Sequence, residues 1–166
     1  MKKNFEWLKK YMFDVNNFEN EPSMYKHMFM PISKEELEKQ EQRMGMKFPL
    51  ELRGFYEQVG YGSLCFYDKD YLDEIMSPES VVDFVLQEGC YENDSYRKEL
   101  NVNKYMPFFD IGDDTFFSLD LSQIDDNGCC PVVYSPEYKP ITLAGSLEEF
   151  IIEMDKTLDY YENFFE

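Results

Sequence analysis

The side chains with most capacity for chemistry in this sequence are carboxylates set beside tyrosines. The segment Asp68-Lys69-Asp70-Tyr71-Leu72-Asp73-Glu74 follows Tyr67, and further acid pairs stand at Asp113-Asp114 and Asp125-Asp126. Acids interleaved with tyrosines can meet Lys and Arg through both salt bridges and cation–π contacts. Tyr67, Asp68, Asp70, Tyr71, Asp73, Glu74, Asp113 and Asp114 are therefore the candidate contacts for a protein partner. Each also has a plainer reading. The 68–74 segment can be an ordinary solvated loop, and the two Asp pairs stand next to or near Gly112 and Gly128, where Asp serves turns by bonding local backbone. The segment lacks the D-x-D-x-D-G spacing and distal Glu of a calcium loop, so no metal is expected there.

Material for catalysis is scarce. His27 is the only histidine, which leaves little material for a histidine-based nucleophilic triad or a multi-histidine metal site, and it reads as a packing or surface residue. Gly60-Tyr61-Gly62 reads as a helix stop and turn, because no phosphate-binding G-x-x-x-x-G-K follows. Cys65, Cys90, Cys129 and Cys130 show no C-x-x-C spacing and read as free, partly buried thiols. No catalytic residue, metal or cofactor is expected.

The elements that must position these groups are bounded by composition. A chain of 166 residues with 43% hydrophobic and 17% aromatic residues can fill one core, so a single domain over residues 1–166 is expected. Thirty-four Asp and Glu against 16 Lys and Arg give a net charge of -18, which repels a nucleic-acid backbone. That field either speeds the approach of a basic protein or simply keeps an aromatic-rich chain soluble. The N-terminal stretch lacks the apolar run of a signal peptide, and no apolar run nears the ~18 residues of a membrane span, so a cytoplasmic protein is expected.

Along the chain, Phe5, Leu8 and Met12 have helical spacing and predict a short helix within an N-terminal extension, residues 1–30. Ser33 with Glu36 is a capping box, and the helix it starts should reach about Met44. Pro49 suits the first turn of a second helix, with Leu52, Phe55, Tyr56 and Val59 on one face and Gly60 past its end. Ser77-Pro78 opens a third, with Gly89 as its stop. Ser146 to Glu149 repeats the capping box before a long final helix whose apolar face runs from Leu147 to Tyr161. Met106–Ile111 and Thr115–Leu121 predict a hairpin across Gly112-Asp113-Asp114, Val132–Tyr134 predicts a further strand, and Leu64–Tyr67 another. Helices, then strands, then a helix point to an α+β fold in which helices pack around an antiparallel sheet. The aromatic tail from Tyr160 to Phe165 should either fold back on the core or cover a second subunit.

The stretches "ISKEELEKQEQRMGMKFPLELRGFYEQVGYGSL", "MPFFDIGDDTFFSLDLS", "CPVVYSPEY" and "SLEEFI" resemble, in that order, the SUKH superfamily. The matching positions are Phe48-Pro49, Gly60-Tyr61-Gly62, Pro107-Phe108, Leu119-Asp120, Pro131-Val132-Val133-Tyr134 and Leu147-Glu148-Glu149-Phe150, within residues 32–152. One departure is Thr115, where the family pattern often has Gly-Asp entering the second strand. The resemblance implies an α+β fold and no catalysis. It further implies a bacterial immunity protein that binds and neutralises a polymorphic toxin, often a nuclease or other enzyme, and the charge of -18 makes a basic toxin domain the expected partner. The other branch of the same resemblance is an intracellular regulatory scaffold without a toxin.

Overall fold

A computed structural model describes residues 3–14, 16, 26–65, 73–135, 139–157 and 159–165. Most of its α-helices begin where a side chain can accept from the first free backbone N–H groups. Ser33 Oγ accepts from Glu36 N at 3.1 Å to start α1 (Lys34–Met44), and Gly45 ends it in the left-handed region. Pro49, expected inside the first turn, is instead the cap of α2 (Leu50–Gln58). Ser77 Oγ accepts from Ser80 N at 3.1 Å ahead of α3 (Pro78–Leu86), which ends on Gln87 rather than at Gly89. The last carbonyls of α3, on Phe84 and Val85, accept from Arg97 at 2.6 and 2.7 Å. Arg97 belongs to α4 (Ser95–Glu99), a short helix with no strong sequence signal. Ser146 Oγ accepts from Glu149 N at 3.1 Å to open α5 (Leu147–Lys156).

Among the described residues, seven strands follow one another across one sheet: β1 (Met28–Met30), β2 (Tyr61–Leu64), β3 (Asp73–Ile75), β4 (Tyr105–Asp110), β5 (Phe116–Asp120), β6 (Val132–Tyr134) and β7 (Ile141–Ala144). Every neighbouring pair is antiparallel, as the α+β reading requires. Tyr61 and Gly62, read from sequence as a turn, lie within β2. Glycine is needed here for close approach, since a Cβ on Gly60 would stand 1.9 Å from Met30 O and one on Gly62 2.3 Å from Met28 O.

Strand register fixes which side chains share a face. Phe109 and Phe117 are stacked at 5.7 Å, and both meet Phe150 of α5 edge-on at 5.1 and 6.0 Å. Near the β1 edge, Phe29 meets Phe55 of α2 at 5.6 Å. The alternate residue Phe116 packs against Phe84 of α3 at 5.4 Å and Tyr96 of α4 at 5.5 Å. Both faces of β5 are thus covered, so all five of its residues are buried, the polar Ser118 and Asp120 included.

The stretch read as an N-terminal extension joins this core. Phe5 and Leu8, in a 3-10 helix and its cap, are fully buried, and Phe13 N donates to Phe29 O at 2.7 Å beside the edge strand. The final helix is shorter than its apolar face suggested. It stops at Lys156, Thr157 is extended, and Asp159 at φ 55 reverses the chain into a 3-10 helix, Tyr160–Phe164. Tyr160 and Tyr161 fold back into the core, with Tyr160 Oη donating to Leu143 O at 3.0 Å.

Candidate functional site

The β4–β5 connection carries the acid pair Asp113-Asp114. Gly112, Asp113 and Asp114 have φ of 84°, 51° and 55°. Thr115 N donates to Gly112 O at 3.0 Å, and Ile111 N donates to Thr115 O at 3.1 Å. The two aspartates therefore occupy both central positions of a type I′ turn, where positive φ is required and Asn-Gly or Asp-Gly is the usual choice. Two side-chain-bearing residues in the left-handed region cost the fold about 1 kcal/mol or more each. Both carboxylates are exposed at the tip.

Two further carboxylates stand next to this turn. Glu74 on β3 lies directly opposite Asp110 on β4. Both are partly buried, and burial pushes each carboxyl above its usual range. Asp110 raises Glu74 further, and Asp114 raises Asp110, against which a hydrogen bond from Gly112 N at 2.8 Å pulls down. Among the described residues neither Glu74 nor Asp110 is ion-paired. Like charges directly opposite across a ladder are unfavourable, so the end of β3 and β4 is a place where negative charge is held close without local neutralisation. Asp110 was not singled out from sequence, because its role depends on the β3–β4 register.

The structure sorts the other sequence candidates. Asp73 is not a surface contact. It is fully buried, and its carboxylate accepts from Tyr161 Oη at 2.8 Å, which ties the C-terminal 3-10 helix to β3. Tyr67, Asp68, Asp70 and Tyr71 lie outside the described residues. At Asp125-Asp126 the turn reading holds for Asp125, which accepts from Asn127 N at 2.8 Å and Cys129 N at 2.9 Å. His27 is fully buried, its Nδ1 accepting from Cys65 N at 2.8 Å and its Nε2 lying 2.8 Å from Asp155 Oδ1. Because Nδ1 is already an acceptor, the proton of the neutral ring sits on Nε2.

Cys129 and Cys130 are buried, and burial pushes both thiols up, Cys130 to about 12, so they are inert packing groups. Sequence reading missed Glu51, whose buried carboxylate on α2 accepts from Leu147 N at 3.1 Å and Glu148 N at 3.4 Å and so caps α5. Among the described residues no three His, Cys, Asp or Glu side chains cluster to hold a metal ion. Nor is any helix among them long and apolar enough to cross a membrane.

The model of the SMI1-KNR4 cell-wall family, SUKH, matches residues 34–151. A protein of Bacillus subtilis (strain 168) named immunity protein YxxD is 29% identical over 156 residues, covering 91% of this chain and 94% of its own length. The chain belongs to the SMI1-KNR4 (SUKH) family.

Proposed function

We propose that this SUKH chain is an immunity protein, which binds a partner toxin and neutralises it by occlusion, with no catalysis of its own. The observation that carries this reading is the similarity, over nearly the full length of both proteins, to a protein named as an immunity protein. The acidic end of β3 and β4 supports it. Glu74 and Asp110 are held opposite each other at a cost of roughly 0.2–1 kcal/mol, and a partner's Lys or Arg would turn that cost into attraction. Asp113 and Asp114, exposed at the adjoining turn, extend the same negative surface.

The partner of this reading is a basic toxin domain, and for a nuclease the acids would stand in for substrate phosphates. Glu74, Asp110, Asp113 and Asp114 are its contacts, joined by Tyr67, Asp68, Asp70 and Tyr71 on the strength of their composition. Asp73 is left out because it is buried. A net charge of -18 steers such a partner from a distance and repels nucleic acid itself. The site of action is the cytoplasm. Co-expression with the products of neighbouring reading frames tests the reading: rescue of growth from one toxic product, with recovery of a complex, supports it. Growth arrest that the chain relieves for none of them contradicts it.

A further inference from the structure

A groove of about 380 Å³ runs between the β4–β5 turn and the C-terminal 3-10 helix, lined by Ile111, Asp113, Thr115, Tyr161, Glu162 and Phe165. Its character is unusual for this surface, because an aromatic wall and carboxylates face one space. Phe165 stays 42% exposed although its ring packs on Tyr134 at 5.0 Å and Tyr161 at 6.0 Å. Tyr161 is held from behind by Asp73 at 2.8 Å and by Phe117, with rings 4.9 Å apart. The wall is therefore built before any ligand arrives, which removes much of the ordering cost of binding. Asp113 and Glu162 bring two carboxylates, and among the described residues no Lys or Arg lines the groove.

We infer that this groove receives an arginine side chain of a cationic protein partner, its guanidinium stacked on the exposed Phe165 ring that Tyr161 backs and paired with Asp113 and Glu162. This rests on the immunity reading for the partner's identity, while the choice of arginine rests on the groove. A guanidinium is planar and weakly hydrated, stacks on aromatic rings and offers a fork of donors to carboxylates. An ammonium is a compact, strongly hydrated point charge and gains less from the rings. An aliphatic occupant would leave both carboxylates unanswered.

The test is an amide-resolved NMR titration of the full chain with three capped tripeptides, Gly-Arg-Gly, Gly-Lys-Gly and Gly-citrulline-Gly, the last matching arginine in shape without its charge. The arginine peptide is expected to give saturable shifts centred on Gly112, Thr115, Glu162 and Phe165. The lysine peptide should bind at least about fivefold more weakly, and the citrulline peptide more weakly still. Phe165→Ala, and separately Asp113→Asn with Glu162→Gln, should each weaken the arginine peptide by about fivefold or more, while Glu35→Gln on α1 changes nothing. Unaltered thermal melts for these variants exclude misfolding as the cause. Shifts scattered over the acidic surface, equal affinity for lysine, or binding that survives both groove variants would overturn the inference. Cell protection separates the two proposals. If wild type protects and the groove variants protect equally well, the groove is wrong and the immunity reading stands. If wild type protects against no neighbouring toxin, the immunity reading fails whatever the peptides do.

Discussion

Replacing Asp114 by glycine separates what the β4–β5 turn costs the fold from what it offers a partner. Asp113 and Asp114 hold φ of 51° and 55°. An L-residue in that region loses roughly 1–2 kcal/mol, with Asp toward the lower end because its side chain bonds local backbone. Glycine has no such loss, but it adds about 0.4–1 kcal/mol of unfolded-state entropy. Removing Asp114 also relieves Asp110, whose carboxyl it pushes up, by a few tenths of a kcal/mol for an exposed charge. The balance is a gain of about 0.5 kcal/mol, or roughly 1–2 °C in Tm for a chain of this size. Asp114→Ala keeps the Cβ and loses the carboxylate that tolerates the left-handed region, so it should lose about 1 kcal/mol. Urea midpoints at neutral pH should therefore rank glycine above wild type and wild type above alanine. Both variants lack the same charge, so both should slow association with the toxin to a similar extent while dissociation changes less. Equal stability of the glycine and alanine variants would show that the turn does not impose a left-handed Asp114. Unchanged association in both would remove this carboxylate from the interface.

Three further outcomes follow from the same geometry. Burial holds the His27 imidazole below its ordinary value of 6.5, so its contribution to stability is complete above that pH and is lost as pH falls from there toward the folded value. The stability gap between wild type and His27→Gln, measured by urea titration, should be about 1–3 kcal/mol near pH 7.5 and shrink near pH 5.5, and a gap that widens on acidification would be inconsistent with the neutral Nε2–H ring. Glu74 and Asp110 are shifted the other way: raised carboxyls lose stability as pH rises through the folded value, so Glu74→Gln or Asp110→Asn should stabilise at pH 7 by up to about 1 kcal/mol, with the gain fading near pH 4. No gain at neutral pH in either variant would mean the pair is not repulsive. Glu51→Ala should leave Leu147 N and Glu148 N without their acceptor and cost about 1–3 kcal/mol, with Glu51→Gln intermediate, as read from chemical denaturation.

The elements that could be read along the chain were those whose determinants are local. Ser33, Ser77 and Ser146 each bond a backbone N–H three residues on, so the start of a helix is written within one turn of sequence. The hairpin across Gly112 to Asp114 was legible for the same reason. What escaped was set by partners far away. β1, β3 and β7 are three or four residues long, and they exist because neighbouring strands supply their hydrogen bonds. Asp73 looked like one more surface acid in an acidic run, yet it is buried against Tyr161, 88 residues later. The early end of α5 was hidden because Tyr160 and Tyr161 do face the core, but after a reversal at Asp159 rather than along a continuing helix. Three of the four acids at this end of the sheet were therefore legible, Asp113, Asp114 and Glu74, but not Asp110, which only the β3–β4 register brings opposite Glu74.

Direct neutralisation by a bound acidic surface can be followed in a stoichiometric titration. Purified toxin at fixed concentration, well above the dissociation constant, is mixed with increasing amounts of this chain at physiological salt, and the toxin's own activity is followed. Activity should fall linearly and reach zero at an equimolar ratio, with association slowed several-fold by added salt. Toxin activity that persists in the presence of excess chain, whether or not a complex forms, would contradict it.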